Sequence, residues 1–192
     1  KSTVMKIFSF SIAFLFLLSC QNHSQKETDK ASEETVSVDE DDLTLRLSMD
    51  LIANPRNRDE KERNEILNYA IDSLWDVQAT SSGLYYEIAS PGEGDTIKWA
   101  DRVAVHYEGF FTDGKKFDSS YDRNRPLEFY VGNMIHGWNE ALQLVQPKSR
   151  LRLLIPSRLA YAEEGLTSPK GDTLVPAHRV LVFKIEVLRK IQ

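Results

Sequence analysis

The sequence predicts an α+β domain, built from several short antiparallel strands and one short helix that covers a single sheet face. Two patterns support this prediction. After residue 83, apolar residues recur at every second position in several short runs, as they do in half-buried strands. Between two of these runs, Trp138, Ala141, Leu142 and Val145 follow the spacing of one helix face instead. A chain of 192 residues can hold one such domain together with appendages.

Composition and charge narrow the classes of function. The hydrophobic fraction of 41% and the charged fraction of 28% are typical of a globular protein. A net charge of −5 without a basic face argues against nucleic acid as a partner. No apolar run reaches about 18 residues, so we expect no membrane-spanning helix. The single cysteine, Cys20, excludes an internal disulfide framework.

Residues 1–19 have the pattern of an export signal. Lys1 and Lys6 lie near the start, residues 7–18 form the apolar run IFSFSIAFLFLL, and the small residue Ser19 follows. The sequence LLSC at 17–20 resembles the bacterial lipobox, which implies cleavage before Cys20 and attachment of acyl chains that hold the protein on a membrane. We therefore expect an exported bacterial lipoprotein of the cell envelope, at the periplasmic face or the cell surface. An ordinary signal peptide and a buried helix are the alternatives.

Residues 20–42 are predicted to be the lipidated cysteine and an acidic, disordered linker. Eight Asp or Glu residues stand against Lys26 and Lys30, and the sizeable apolar residues are only Val36 and Val38. Such a segment cannot bury enough apolar surface to offset the entropy of ordering. It would act as a solvated tether, and an acidic tail that binds a partner is the alternative.

Residues 43–80 are predicted to form a helical segment. Residues 43–52 fit a short helix or a strand, whereas residues 57–75 fit a helix with Asp59, Glu60 and Glu62 in its first turns. Its apolar stripe needs a surface to cover, and we favour the following domain. A homodimer through the 55–78 helix, or another protein, is the alternative. The stripe consists of Ile66, Leu67, Ala70, Ile71, Leu74 and Trp75.

The strands of the main domain follow the predicted boundary at residues 79–83. They are expected at residues 84–89, 101–111, 127–131, 149–155 and 178–188. Val103, Val105 and Tyr107 share one face of the second strand, and the pair Asp113-Gly114 after it is typical of a tight hairpin turn. The inward residues of the last two strands are Leu151, Leu153 and Ile155, then Leu181, Phe183, Ile185 and Val187.

Six short motifs of the main domain give it a family resemblance. They are VHYEG at 105–109, DGKKFDSS at 113–120, DRNRP at 122–126, GW at 137–138, AY at 160–161, and VPAH at 175–178 leading into LVF at 181–183. In this order and spacing, over about 110 residues (83–192), they resemble the FKBP family of peptidyl-prolyl isomerases. The resemblance implies an FKBP-like antiparallel sheet wrapped around one short helix. It also implies isomerase activity on proline-containing polypeptides, without a cofactor.

The resemblance assigns the residues of an apolar pocket with the helix tryptophan as its floor. By position, the catalytic residues would be Tyr107, Phe117, Asp118, Ile135, Trp138, Tyr161 and Phe183. Substrate would further contact Arg123, Leu127, Met134, Leu166, Leu174 and Val175. In the family, the tyrosine at position 161 and the backbone N–H at position 135 donate to carbonyls of the bound proline segment. Without the resemblance, the aromatic residues fit ordinary core packing, and Asp118 with Arg123 fits a surface ion pair.

This sequence departs from the family pattern at three places. Leu127 replaces a frequent pocket phenylalanine, Ala162 replaces a frequent glycine after the tyrosine, and Leu166 replaces a common aromatic residue or histidine. The segment 166–172 is also several residues longer than in minimal members, and we expect an ordered loop over the pocket mouth. These departures bear on substrate preference more than on activity.

The sequence shows no nucleophile–base pair, phosphate loop or metal-ligand spacing, and its four histidines read as ordinary surface or turn residues. The leading hypothesis is therefore a lipid-anchored prolyl isomerase that assists the folding of exported or envelope proteins. A second hypothesis is a non-catalytic proline-binding module, and a third is an assembly component of an envelope or motility complex.

Overall fold

The computed structural model describes residues 39–191. Its helices are α1 (Glu40–Met49), α2 (Arg58–Asp72) and α3 (His136–Leu142), and a 3-10 helix covers Ser157–Leu159. Its strands are β1 (Gln78–Ala79), β2 (Tyr85–Ser90), β3 (Arg102–Phe111), β4 (Lys116–Ser119), β5 (Leu127–Tyr130), β6 (Arg150–Ile155), β7 (Leu166–Thr167), β8 (Thr173–Val175) and β9 (Leu181–Ile191). The predicted signal peptide and Cys20 lie outside the described residues.

A seven-stranded antiparallel sheet forms the centre, in the order β1-β2-β6-β9-β3-β4. The strand β5 pairs with the first half of β3, and β4 pairs with its second half. The strands β7 and β8 form a separate two-stranded hairpin. With α3 against one face of the large sheet, this arrangement confirms the predicted α+β class.

Both faces of the large sheet are buried by helices of the same chain. The face that carries α3, here called the inner face, buries Leu153 of β6 and Phe183 of β9 with Trp138 of α3. The opposite face, here called the outer face, buries the adjacent residues Leu154 and Val182 under α1 and α2. Because side chains alternate along a strand, two separate cores meet at one sheet.

The helix α1 begins inside the segment that we expected to be a disordered linker. Asp39 caps it by accepting from the backbone N–H of Asp41 at 3.0 Å, and Glu40, Asp41 and Asp42 lie in its first turn. Acidic side chains at a helix N-terminus are stabilised by the helix dipole. The last four acids of the predicted linker, residues 39–42, therefore form the start of a helix, and residues 43–49 are helical.

The helix α2 buries its apolar stripe within its own chain, which agrees with the favoured interpretation. Ile66, Leu67 and Ala70 are 0% exposed, so they are not available to a second copy. The helix is shorter than predicted, because it begins at Arg58 and ends at Asp72. Leu74 lies beyond it with a positive φ of 53° and is exposed, so its assignment to the stripe was wrong.

Two further segments differ from their predictions. Residues 79–83, expected as a domain boundary, belong to the hairpin that pairs β1 with β2. The last strand was expected from residue 178 but begins at Leu181, since His178 has a positive φ of 58° and donates its N–H to the carbonyl of Ala162. In residues 39–191 no helix is long and apolar enough to cross a bilayer.

Candidate active site

An apolar cavity of about 350 Å³ opens on the inner face, between the sheet, α3 and the β7–β8 hairpin. Eleven residues from separate parts of the chain line it, which makes it a product of the fold rather than of one motif. They are Tyr107, Phe117, Asp118, Arg123, Met134, Ile135, Trp138, Tyr161, Leu166, Leu174 and Phe183. All seven predicted catalytic residues and four of the six predicted substrate contacts therefore meet at one place.

Trp138 forms the floor of this cavity and is 1% exposed. Its ring lies 5.0 Å from the ring of Tyr107 and 5.1 Å from that of Phe183, both nearly perpendicular to it. Such edge-to-face contacts are a favoured geometry of aromatic pairs. Phe117 meets Phe183 in the same way, at 5.6 Å. These four rings form the floor and part of the walls of the apolar cavity.

Gly109 in β3 makes room for two of these rings, and sequence reasoning missed its role. A Cβ at this position would stand 2.7 Å from the ring of Phe117 and 2.8 Å from that of Phe183. Any larger residue would have to displace one ring. A glycine in the interior of a strand often marks such a close approach, and this was the available signal.

The cavity has one polar edge, formed by Tyr107, Asp118 and Arg123. The Tyr107 hydroxyl donates to the Asp118 carboxylate at 2.5 Å and accepts from Arg123, which also pairs with Asp118. Burial, and then the hydrogen bond to Asp118, raise the pKa of Tyr107 to about 12. Tyr107 is therefore a neutral hydrogen-bond donor at physiological pH. The Asp118–Arg123 pair is more than a surface ion pair, because it holds a residue of the cavity wall.

Tyr161 enters the cavity from the segment after the 3-10 helix. The turn that carries it is closed by hydrogen bonds from Ala160 and Ala162 to the carbonyl of Ser157, at 2.9 and 2.8 Å. Burial, and then the negative charge of Asp118, raise the pKa of Tyr161. Its hydroxyl therefore also remains protonated and can donate. Ala162, where family members often carry glycine, adopts a positive φ of 46°.

Ile135 is the residue directly before α3, and its carbonyl accepts from Trp138 and Asn139. The buried side chain of Asn139 fixes the preceding loop. Its oxygen accepts from the N–H of Gly132 at 2.8 Å and of Met134 at 3.3 Å, while its nitrogen donates to the carbonyl of Met134. Asn139 thus places the Ile135 amide at the cavity. Sequence reasoning missed it, although a polar residue inside an apolar helix pattern is a usable signal.

The long segment near the cavity mouth is an ordered hairpin, as expected. The strand β7 pairs with β8, with Leu166 opposite Val175, and both Leu166 and Leu174 line the cavity. Two predicted contacts do not line it. Val175 is 1% exposed within the inner core, because its side chain alternates away from that of Leu174. Leu127 lies instead in a neighbouring cleft with Arg125, where β5 pairs with β3.

No group of three or more histidine, cysteine or acidic side chains in residues 39–191 is placed to hold a metal ion.

Comparison with known proteins places this fold and cavity in a family context. A family model described as FKBP-type peptidyl-prolyl cis-trans isomerase matches residues 94–188. A probable FKBP-type peptidyl-prolyl cis-trans isomerase of Haemophilus influenzae is 44% identical over 113 residues, which are 59% of this chain and 45% of the relative. This chain thus spans less than half of that relative's length.

Two solved structures share the fold. The crystal structure of AtFKBP13 superimposes with a TM-score of 0.56 at 33% identity, covering 60% of this chain and 99% of that one. The crystal structure of FkpA from Escherichia coli gives a TM-score of 0.59 at 32% identity, covering 76% of this chain and 63% of that one. The predicted sheet around one short helix is thereby confirmed, and so is the resemblance drawn from the six motifs.

Proposed function

The chain belongs to the FKBP-type peptidyl-prolyl cis-trans isomerase family, and on this premise we propose that it catalyses cis–trans isomerisation of X-Pro bonds in polypeptides. The observation that carries this proposal is the aromatic cavity of about 350 Å³ with Trp138 as its floor. Its size and apolar walls suit a proline ring with its flanking groups, held by a few polar fixtures. The substrate class is therefore a proline-containing polypeptide.

The physical problem is the resonance of the peptide bond. Rotation about C–N has a barrier of roughly 18–20 kcal/mol, because the planar bond spreads charge onto its oxygen and nitrogen. Twisting the bond removes this resonance and much of the charge separation. An apolar cavity stabilises the twisted, less polar bond more than the planar one. Since only preferential binding of the transition state speeds the reaction, this difference is the source of catalysis.

Two hydrogen-bond donors at the cavity would hold the substrate while its bond rotates. We assign these roles to the Tyr161 hydroxyl and the Ile135 amide, whose positions are fixed by the Ser157 turn and by Asn139. Asp118 holds Tyr107 and Arg123 at the rim. This mechanism transfers no proton and forms no covalent bond to the protein.

The test is a protease-free exchange measurement by NMR on a short X-Pro peptide with catalytic amounts of the full chain. Uncatalysed exchange takes tens to hundreds of seconds, so acceleration is readily measured. We expect Asp118→Val and Phe183→Ala each to lower kcat/KM by about tenfold or more, because each removes part of the transition-state site. The matched control is Asp113→Asn, an exposed acid at the β3–β4 turn, which should leave the rate unchanged.

Two outcomes would overturn the proposal. A wild-type chain that does not accelerate exchange is not an isomerase. If the same chain still binds the peptide, it is a non-catalytic proline-binding or assembly module. Equal activity in wild type and in both folded cavity variants would place catalysis elsewhere.

We further propose that the protein is exported and anchored by lipid at Cys20, and assists the folding of exported or envelope proteins. The support is the basic start, the apolar run and the LLSC sequence. Labelled palmitate fed to bacterial cells that produce the full chain should appear on wild type but not on Cys20→Ser. Equal labelling of both chains, or of neither, would contradict the anchor.

Whether two copies associate is a separate hypothesis. A dimer through the buried stripe of α2 would require that helix to leave its own sheet. The exposed residues Leu45 and Met49 of α1 offer an alternative surface. If α1 mediates a dimer, the mass measured by sedimentation should fall when both residues are replaced by Ser. A monomer mass in both chains would contradict any dimer, and a dimer mass that both chains keep would place the contact elsewhere.

A further inference from the structure

One buried acid on α2 contacts the segment that carries Tyr161. Glu62 is 4% exposed, and its two carboxylate oxygens face a single residue of the sheet domain. The backbone N–H of Ser157 donates to one oxygen at 2.8 Å, and the Ser157 hydroxyl donates to the other at 2.6 Å. Glu62 takes part in none of the ion pairs found in residues 39–191. It thus serves as a double acceptor rather than as a partner of a positive charge.

Ser157 is the point from which the cavity turn is built. It opens the 3-10 helix, and its carbonyl accepts from both Ala160 and Ala162, which flank Tyr161. Ser157 is itself 3% exposed, so its N–H and hydroxyl cannot turn to water. A buried donor without an acceptor is strongly unfavourable. Removing Glu62 would therefore leave the turn without the contact that holds its first residue.

We propose that Glu62 is a positioning residue of the isomerase site, which sets the place of the Tyr161 hydroxyl through Ser157. This inference rests on the proposed function only in its catalytic consequence. It makes α2 a part of the active-site structure, although no atom of α2 lines the cavity. Glu62 touches no substrate and is not a catalytic residue.

A second glutamate on the same helix provides a matched control. Glu65 lies one turn further along α2 and accepts from the Thr112 hydroxyl at 2.5 Å, at the end of β3. It also ties the helix to the sheet domain, but it does so away from the Ser157 turn. Methionine at either position keeps an unbranched side chain while removing both acceptors.

The first experiment measures kcat/KM of Glu62→Met, Glu65→Met and Glu62→Gln in the full chain. We expect Glu62→Met to lower kcat/KM by about tenfold, as small misplacements of positioning groups do, and Glu65→Met to change it less than about twofold. Glu62→Gln should keep most activity, because its amide oxygen can accept from the Ser157 N–H while its amide nitrogen donates to the Ser157 hydroxyl. Equal losses in both methionine variants would mean that Glu62 has only a structural role.

A double-mutant cycle tests whether Glu62 acts through Tyr161. If Glu62 acts through Tyr161, then Glu62→Met should have little effect in a Tyr161→Phe background, where the donor is already absent. A general loss of stability would instead lower the rate by the same factor in both backgrounds. That additive result would overturn the proposal.

Amide hydrogen exchange tests the positioning role of Glu62 without relying on isomerase activity. The amides of Ala160 and Ala162 should exchange faster in Glu62→Met than in wild type or in Glu65→Met. A wild-type chain without isomerase activity would refute the proposed function, yet this comparison would still decide the positioning role. Unchanged exchange of both amides in Glu62→Met would overturn the inference whatever the activity.

Discussion

The two faces of the central sheet are buried equally well, but the aromatic cavity lies on the inner face. Leu153 and Leu154 are neighbours in β6 and both are 0% exposed, yet the first faces the cavity side and the second faces α1 and α2. Phe183 and Val182 alternate in the same way in β9, opposite these two leucines. Burial alone therefore does not distinguish the site from the scaffold.

The two faces differ in how their aromatic side chains are used. On the inner face, four rings stand edge to face and line the cavity, namely those of Tyr107, Phe117, Trp138 and Phe183. On the outer face, the buried apolar side chains of α1 and α2 are aliphatic and pack against Leu154 and Val182. Trp75 is buried beside them and meets Tyr69 edge to face at 5.4 Å. We infer that the outer face stabilises the sheet on which the inner face presents its cavity.

The largest effect is expected from the adjacent pair Leu153→Ala and Leu154→Ala. Each should destabilise the chain by roughly 2–5 kcal/mol, because each removes a fully buried side chain. Only Leu153→Ala should also lower the kcat/KM of the folded molecules, since Leu153 lies beside Phe183 in the inner core as its cross-strand neighbour. Urea unfolding measures the first quantity and peptide exchange the second. Equal kinetic losses would show that the two faces are not functionally separate.

A smaller effect is expected from Gly109→Ala. The new methyl group would collide with the rings of Phe117 and Phe183, and such overpacking costs about 1–3 kcal/mol. Because both rings line the cavity, we expect the larger effect on kcat/KM and the smaller one on the free energy of unfolding. Thermal unfolding and exchange rates, measured on the same sample, check this. A variant with full activity would show that the ring positions are not critical.

Ala162→Gly should stabilise the chain by about 1 kcal/mol, because alanine is strained in the left-handed region and glycine is not. The outer face should be unaffected. Denaturant unfolding gives the free energy, and activity should remain within about twofold. A destabilised Ala162→Gly variant would contradict the assigned backbone conformation.

The smallest effect is on the free energy of unfolding at alkaline pH. The pKa of Tyr107 is raised to about 12 in the folded state from 10.0, so the folded state holds the proton more tightly. This contribution to stability is complete below pH 10 and is lost as the pH rises through about 12. Tyr107→Phe should therefore flatten the decline of stability with pH above 10. On the outer face, burial also raises the pKa of Tyr85, so Tyr85→Phe is the control, expected to change the decline less. Equal changes would contradict the role of Asp118.

The sequence was sufficient to predict the class of fold but not the ends of its elements. Alternation of apolar residues located the main strands, because that pattern follows directly from strand geometry. The start of β9 depends on His178, whose backbone bonds to Ala162 in a different segment. The start of α1 depends on whether a run of acids caps a helix, and composition alone does not decide this.

The residues that line the cavity were predictable from the sequence, but the residues that hold them in place were not. The family resemblance named all eleven residues that line the cavity, and seven of them lie within its six motifs. It placed Leu127 and Val175 there as well, and their true positions depend on strand register. The contact of Glu62 with Ser157 joins residues 95 positions apart, so no local pattern contains it. In the sequence, Glu62 had the ordinary appearance of an acid near a helix start.

The measurement that tests the central claim most directly uses the three tryptophans as reporters. Trp138 forms the cavity floor, Trp75 lies in the outer core, and Trp99 is 62% exposed. A proline peptide is added to the isotope-labelled full chain. The three indole N–H signals and the cis–trans exchange of the peptide are then followed together by NMR. We expect a shift of the Trp138 signal alone, with accelerated exchange at the same peptide concentrations. Accelerated exchange with an unmoved Trp138 signal, or a shift confined to Trp75 or Trp99, would contradict it.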